Sequence, residues 1–429
     1  MRALVSRSLL LALLVPPMRA LTAQGTPAAQ AAVPAAVRDA FALIERENDR
    51  TLDTQIALCE IPAPPFKEQA RGREFAKRLA ALGLLNIRTD GEGNVFGELR
   101  GAGPGPTTML SAHLDTVFPE GTDVRVKRTG TLLTAPGIGD DCRGLTVVLA
   151  VTRALVETKV RFPGRILVTG TVGEEGAGNL RGVRAIYASA LKDSIDYFIS
   201  VDGTGFGITN RGVGSIRYRA SYKGPGGHSY GAFGMPNPIH AMGRAIAMVS
   251  DVVVPSDPRT TFNVGIVEGG RTVNTISDRA TMEIDMRSES WAALTAVDTK
   301  VQAALRKALA DEKARWPNSP VPLTLTIDTI GIRAAGTTPD SSVIVRAGLA
   351  AAKTVGVYTP LMASSTDSNI PISLGKQAIT VDGGGLGKGA HSLDESYDDR
   401  TDGYKGAQFV LLLVHNLSKA PLQTGRVVP

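Results

Sequence analysis

Apolar and polar positions run along this chain in two rhythms. TTMLSAH, GRILVTGTV, DYFISVD and KQAITVD are short apolar or β-branched runs, each read as a buried strand with a loop after it. Between them GLTVVLAVTRALVET repeats its apolar residues at three-to-four spacing, the pattern of a helix. Strand and helix in alternation predict an α/β fold, with a mostly parallel sheet covered on both faces.

Residues 213–329 follow another pattern. GSIRYRASYKG alternates as a strand, NPIHAMGRAIAMVSDVV reads as a helix, and TTFNVGIVEG and ATMEIDMRS read as two more strands. A long amphipathic helix from Trp291 to Lys313 and the strand PLTLTID complete the order β-α-β-β-α-β, that of a ferredoxin-like module. The chain is expected to carry this module as an inserted domain within a discontinuous main domain of residues 35–212 and 330–429. No repeat of solenoid period is present.

The first residues change the picture of where the protein works. Two arginines, an apolar run from Leu9 to Val15 and a small-residue region ending near Ala23 have the layout of a secretory signal, residues 1–23, whose ordinary alternative is an uncleaved anchor. The Ala/Pro-rich stretch 24–34 reads as a flexible lead-in. The expected location is therefore exported, periplasmic or secreted, with no membrane association after signal cleavage. Cys59 and Cys142 are too few for a disulfide framework, so although export would permit a bridge, Cys142 is read as a packing residue. The formal charge of +6 and pI near 9.3 come from scattered lysines and arginines, which argues against a nucleic-acid partner.

Acids and histidines gather where the strands of the main domain end. His113 and Asp115 follow TTMLSA, Asp140 and Asp141 follow APGIG, and Glu174 and Glu175 follow RILVTGTVG; Asp202 follows YFISV, and His391 follows QAITVDGGGLGKGA. Ligands of open α/β sheets sit beyond the carboxyl ends of strands, so five loops point at one place. Each motif alone has an ordinary reading as a surface pair, a solvated turn or a helix cap, and one of Asp140 and Asp141 is expected to cap the helix that follows. Together, however, so many carboxylates need a cation, and two imidazoles with carboxylates suit zinc, with manganese or cobalt also fitting. His113, His391, Asp115, Asp140, Glu175 and Asp202 supply enough donors for two ions if one carboxylate bridges.

His415 and His240 lie in apolar helical patterns and read as structural. His228, in the Gly-rich GPGGHSYGAFG, is a candidate to touch substrate. GGGLGKGAH lacks the spacing of a phosphate loop, DGTGFG does not match the dinucleotide fingerprint, and no Gly-x-Ser-x-Gly elbow supports a serine hydrolase, the one match to that spacing, GHSYG, lying in the Gly-rich loop of the inserted domain.

SAHLDTV, APGIGDD, GEEG, SVDG, GPGGHS, EGGRTVNTI and GAHSLDE together resemble the M20 family of co-catalytic zinc metallopeptidases, which includes aminopeptidases, carboxypeptidases and amidohydrolases. The resemblance implies His113 and His391 as ligands of separate metals, Asp140 as the bridging carboxylate, and Glu175 and Asp202 as the remaining ligands. It makes Asp115 the acid that orients His113 rather than a ligand, and Glu174 the general base. His228, Asn274 and Arg287 fall at positions that hold the substrate carbonyl or carboxylate, with His228 reaching a neighbouring subunit's site. The chain reads DDCRG where the family often has a lysine, so Cys142 occupies that place. The expectation is a di-zinc exopeptidase on short peptides, with an N-acyl amino acid deacylase as the alternative and a non-catalytic peptide-binding protein as a remoter one. The inserted domain is expected to act as a lid and to carry a homodimer contact.

Overall fold

The computed structural model describes residues 33–423, so the expected signal segment and all but the last two residues of the lead-in lie outside the described residues. The fold begins with the helix Ala35–Arg46, whose Val37, Ala40, Leu43 and Ile44 recur at helical spacing and are all buried. The helix Asn48–Cys59 follows it directly.

The centre of the main domain is a sheet in which the strands Arg165–Thr171, Thr107–His113, Tyr197–Val201 and Gln377–Val381 lie side by side and parallel. Antiparallel strands extend it on both sides: the hairpin Leu85–Thr89 and Val95–Arg100 next to Arg165–Thr171, and Ile208–Gly212 next to Gln377–Val381. The strands read as continuous apolar runs because both faces are buried. Leu110, Ala112, Val168, Ile199 and Val201 join the large core with the helices Cys142–Glu157, Val343–Val355 and Lys405–Leu417, whereas Met109, Leu167 and Phe198 join a smaller one with Val183, Ile186 and Tyr187. By the two-residue period of a strand, Ser111 and His113 share the face of Met109, so that face turns from apolar to polar as it nears the carboxyl end.

The inserted domain is the expected ferredoxin-like module. Its sheet runs Thr260–Gly269, Arg279–Ser288, Gly214–Lys223, Thr324–Arg333, every pair antiparallel. The helices Pro238–Ser250 and Trp291–Arg315 pack on one face over Tyr222, Met282, Ile284 and Met286. Asn237 and Ser290 cap them, each accepting a backbone N–H of the first turn. The last strand continues beyond residue 329 to Arg333, which pairs with Ser215, and this extension matters for the site.

Two expectations need correction. Cys142 is not a free packing residue: it is disulfide-bonded to Cys59, with the Cα atoms 5.5 Å apart. The end of the helix Asn48–Cys59 abuts the start of Cys142–Glu157, a proximity of residues 83 apart in sequence that no local pattern reveals. His240 is not a core histidine either, since its side chain is 62 % exposed on the outer face of its helix. His415, in contrast, is buried. Among the described residues, no helix is long and apolar enough to cross a membrane.

Candidate metal centre

His113 ends its strand and is fully enclosed, with its ring fixed from both sides. Its Nδ1 lies 3.1 Å from the Asp115 carbonyl and 3.6 Å from the Asp115 carboxylate, leaving Nε2 to point at Asp140 Oδ1, 3.0 Å away. Asp115 also accepts the backbone N–H groups of Glu174 and Glu175, at 3.1 and 2.8 Å. One buried carboxylate therefore orients an imidazole and sets the loop that carries the Glu pair. Burial opposes its ionisation, but His113 and the two amides hold its pKa below the usual carboxylate value.

The two aspartates of GDDC divide their work. Asp141 caps the helix that follows by accepting the Gly144 N–H, and its other oxygen accepts the N–H of His113. Asp140 is left facing both imidazoles: Oδ1 meets His113 and Oδ2 lies 3.2 Å from His391 Nε2. His391 Nε2 is also 3.0 Å from Glu175 Oε1, and His113 Nε2 is 4.0 Å from Asp202 Oδ1. Donor atoms around a tetrahedral zinc, each about 2.0–2.1 Å from the ion, stand about 3.3 Å apart, close to these separations. Two sets of donors lie close enough to share an ion, His113 with Asp140 and Glu175, and His113 with Asp141 and Asp202, so the cluster is compatible with metal binding, and Asp140 turns one oxygen toward each imidazole.

The electrostatics follow from this crowding. Burial, reinforced by Asp140, raises the pKa of Asp202 well above the carboxylate range. Burial also pushes Glu174 up to about 8, with Arg333 opposing and Glu175 reinforcing. Hydrogen bonds to Asp140 and Glu175 push His391 up to about 10. Carboxylates that resist ionisation beside imidazoles that attract protons form a set whose charges balance when cations lie among them.

These groups open on a cavity of about 640 Å³, which Arg217 and Arg287 of the inserted domain also line. Asp285 accepts from the Nε of both guanidiniums at 2.7 Å; Arg217 also donates through Nη1 to the Gly176 carbonyl, whereas the outer nitrogens of Arg287 remain for a ligand. His228 and Asn274 stand elsewhere. His228 ends the first strand of a two-stranded ribbon and Asn274 directly precedes the second; both are exposed, joined by the Ser229 N–H to the Asn274 carbonyl, and do not line this cavity.

Residues 109–416 match the family model described as Peptidase family M20/M25/M40. The chain belongs to this family. It is a metal-dependent hydrolase, and its two-domain fold is the family's. It is 27% identical to the uncharacterized protein YqjE of Bacillus subtilis (strain 168) over 281 residues, 62% of this chain and 73% of that one. It is 28% identical to carboxypeptidase G2 of Pseudomonas sp. (strain RS-16) over 230 residues, 51% of this chain and 54% of that enzyme. A tripeptidase structure from Staphylococcus aureus subsp. aureus mu50 shares the fold, with a TM-score of 0.71 at 20% identity, covering 87% of this chain and 99% of that one.

Two residues of this M20 site escaped the reading of motifs. Arg333, buried at the end of the inserted domain's extended last strand, donates to Glu174 Oε1 at 3.1 Å, to the Glu174 carbonyl and to Ser365 Oγ. Glu395 is buried four residues after His391 and accepts the N–H groups of Gly137, Gly139 and Asp140 at 3.0, 2.8 and 2.9 Å, tying the loop of one histidine to the loop of the shared carboxylate. The signal for Glu395 was the second acid in HSLDE; Arg333 had none.

Proposed function

We propose that the chain hydrolyses amide bonds with two divalent ions, zinc being the best fit and manganese or cobalt alternatives, and acts as an exopeptidase on short peptides. When bound, the ions would polarise the scissile carbonyl and lower the pKa of a water from near 16 toward about 7. Glu174, lining the cavity, takes a proton from the attacking water and returns it to the leaving amine, so that water is divided between the new acid and the released amine. Arg333 holds that carboxylate in place. Arg287 receives a terminal carboxylate of the substrate through its free nitrogens. An N-acyl amino acid would present the same carboxylate, which makes deacylation the second reading.

The observation carrying this proposal is the placement of Asp140, one oxygen toward each imidazole, beside a glutamate that is not needed as a ligand. The test is metal content and peptide hydrolysis of wild type and E174Q. Wild type should lose activity to a chelator and regain it with zinc. E174Q should keep both ions and turn over roughly 10²- to 10⁴-fold more slowly. A metal-free protein with full activity, or near-normal turnover by E174Q, would refute it.

The same reading includes export, which the signal-like leader and the paired cysteines support, and which cell fractionation would test. It also includes a homodimer through the inserted domain. Tyr230, Phe233 and Val273 are exposed beside His228 and Asn274, an apolar surface suited to cover by a second copy whose cavity His228 would enter. Sedimentation at micromolar concentration tests this.

A further inference from the structure

We propose that Asp382 and the segment Gly203–Gly207 form a subsite for the free ammonium group of the substrate, so that the enzyme requires an unblocked amino terminus. The inference rests on the reading of the chain as an amide hydrolase of short peptides and narrows it to peptides free at both ends.

Asp382 directly follows the strand Gln377–Val381 and lines the same cavity as Asp140, Glu174 and Asp202. It belongs to neither group of side chains close enough to share an ion, so its charge is not committed there. Its Oδ2 accepts the Gly207 N–H at 2.7 Å, while Oδ1 has no donor among the described residues. None of the cavity's guanidiniums pairs with it: Arg217 and Arg287 meet Asp285 through their Nε atoms, and Arg333 meets Glu174. A carboxylate largely removed from water with a single neutral hydrogen bond is costly unless a cation meets it. A substrate ammonium is a compact cation with three donors, suited to such a carboxylate.

The backbone around Asp382 is built to hold the carboxylate and leave it reachable. Asp202 N–H donates to the Val381 carbonyl at 3.0 Å, Gly383 N–H to Gly203 at 3.0 Å and Gly384 N–H to Gly205 at 2.8 Å, lacing the two segments together. Gly205 has φ of +101°, and a Cβ there would stand 2.9 Å from Asp382 Oδ2. A Cβ on Gly207 would stand 3.0 Å from the same oxygen and 2.0 Å from the Met362 methyl. The alternating glycines of DGTGFG, which match no nucleotide motif, are thus what allows the backbone to approach this carboxylate. With Arg287 on the same cavity, the two charged groups offer one contact for each end of a zwitterionic peptide.

The test compares L-alanyl-L-alanine with propionyl-L-alanine, which lacks only the ammonium, on the zinc-loaded full-length protein. The dipeptide should be favoured roughly tenfold to a hundredfold in kcat/KM, chiefly through KM. D382N, which keeps an oxygen for Gly207, should narrow that preference to within about threefold. Calorimetric binding of both compounds to E174Q and to E174Q/D382N should show the same preference and the same loss, a readout that does not depend on turnover. Equal handling of the two compounds by wild type, or a preference that survives in D382N, overturns the proposal. Absence of hydrolysis of either compound, with the binding preference intact in E174Q, would sink the hydrolase reading and leave the subsite standing.

Discussion

Replacing Asp115 with alanine tests how much of this site one carboxylate organises. Asp115 is fully buried and holds two kinds of partner: the amides of Glu174 and Glu175, and the imidazole of His113. Each buried amide left without an acceptor costs ~1–3 kcal/mol, so the loss of both is ~2–6 kcal/mol, toward the lower end where water enters the gap. The ring of His113 keeps the Asp115 carbonyl at 3.1 Å but loses the carboxylate that raises its basicity. Removal of such a partner typically weakens metal binding about 10- to 100-fold. D115A should therefore unfold at lower urea concentration even when stripped of metal, and should bind zinc more weakly in competition with a chromophoric chelator. D115N should fall between, since its oxygen serves one amide while its NH2 group opposes the other. Zinc affinity within about twofold of wild type, with an unchanged urea midpoint, would refute the assignment of Asp115 as the organiser of the histidine and the Glu pair.

Arg287→Met should raise KM roughly tenfold to a hundredfold for substrates with a free carboxylate and narrow the discrimination against their amides; equal losses on acid and amide would refute its role. Replacing both Cys59 and Cys142 with alanine opens a loop whose ends are 83 residues apart, which the chain-entropy model equates with up to about 4.5 kcal/mol. Thermal unfolding with and without reductant reads that loss, and equal midpoints for wild type and variant under oxidising conditions would exclude it. Burial, aided by Lys419, lowers His415 to about 4. The unfolded chain then takes up a proton near pH 6.5 that the folded one refuses, so this contribution is present above pH 6.5 and is lost as pH falls toward 4. His415→Leu should flatten the stability profile across that interval, and an unchanged slope would show that other groups carry it.

What the sequence disclosed and what it withheld divide along a physical line. His113 and Asp115 were legible because a strand places alternate residues on one face, so an imidazole and a carboxylate two apart at a strand end have few arrangements open to them. The inserted domain was legible for the same reason: Arg279–Ser288 alternates buried and less buried positions nearly throughout, and the helix Pro238–Ser250 repeats at three-to-four spacing. The ordinary reading of Asp140–Asp141 as a cap was half of the truth, since one of the two caps and the other faces the histidines.

The residues that escaped owe their roles to register and docking. Arg333 meets Glu174, 159 positions away, because the last strand of the inserted domain continues four residues past residue 329 and delivers a guanidinium to the main domain. Cys59 meets Cys142 because two helices happen to end and begin together. His240 misled because Ile239, Ala241 and Met242 surround it with apolar neighbours in sequence, while the helix turns it outward, 62 % exposed. In each case the sequence gives the side chain and tertiary docking gives its partner. The contact of Arg333 with Glu174 therefore links the inserted domain directly to the proposed base. Moving the 324–333 strand away would withdraw a positive charge that lowers the pKa of Glu174, while the water admitted would relieve the burial that raises it, so the two effects on that carboxylate oppose each other.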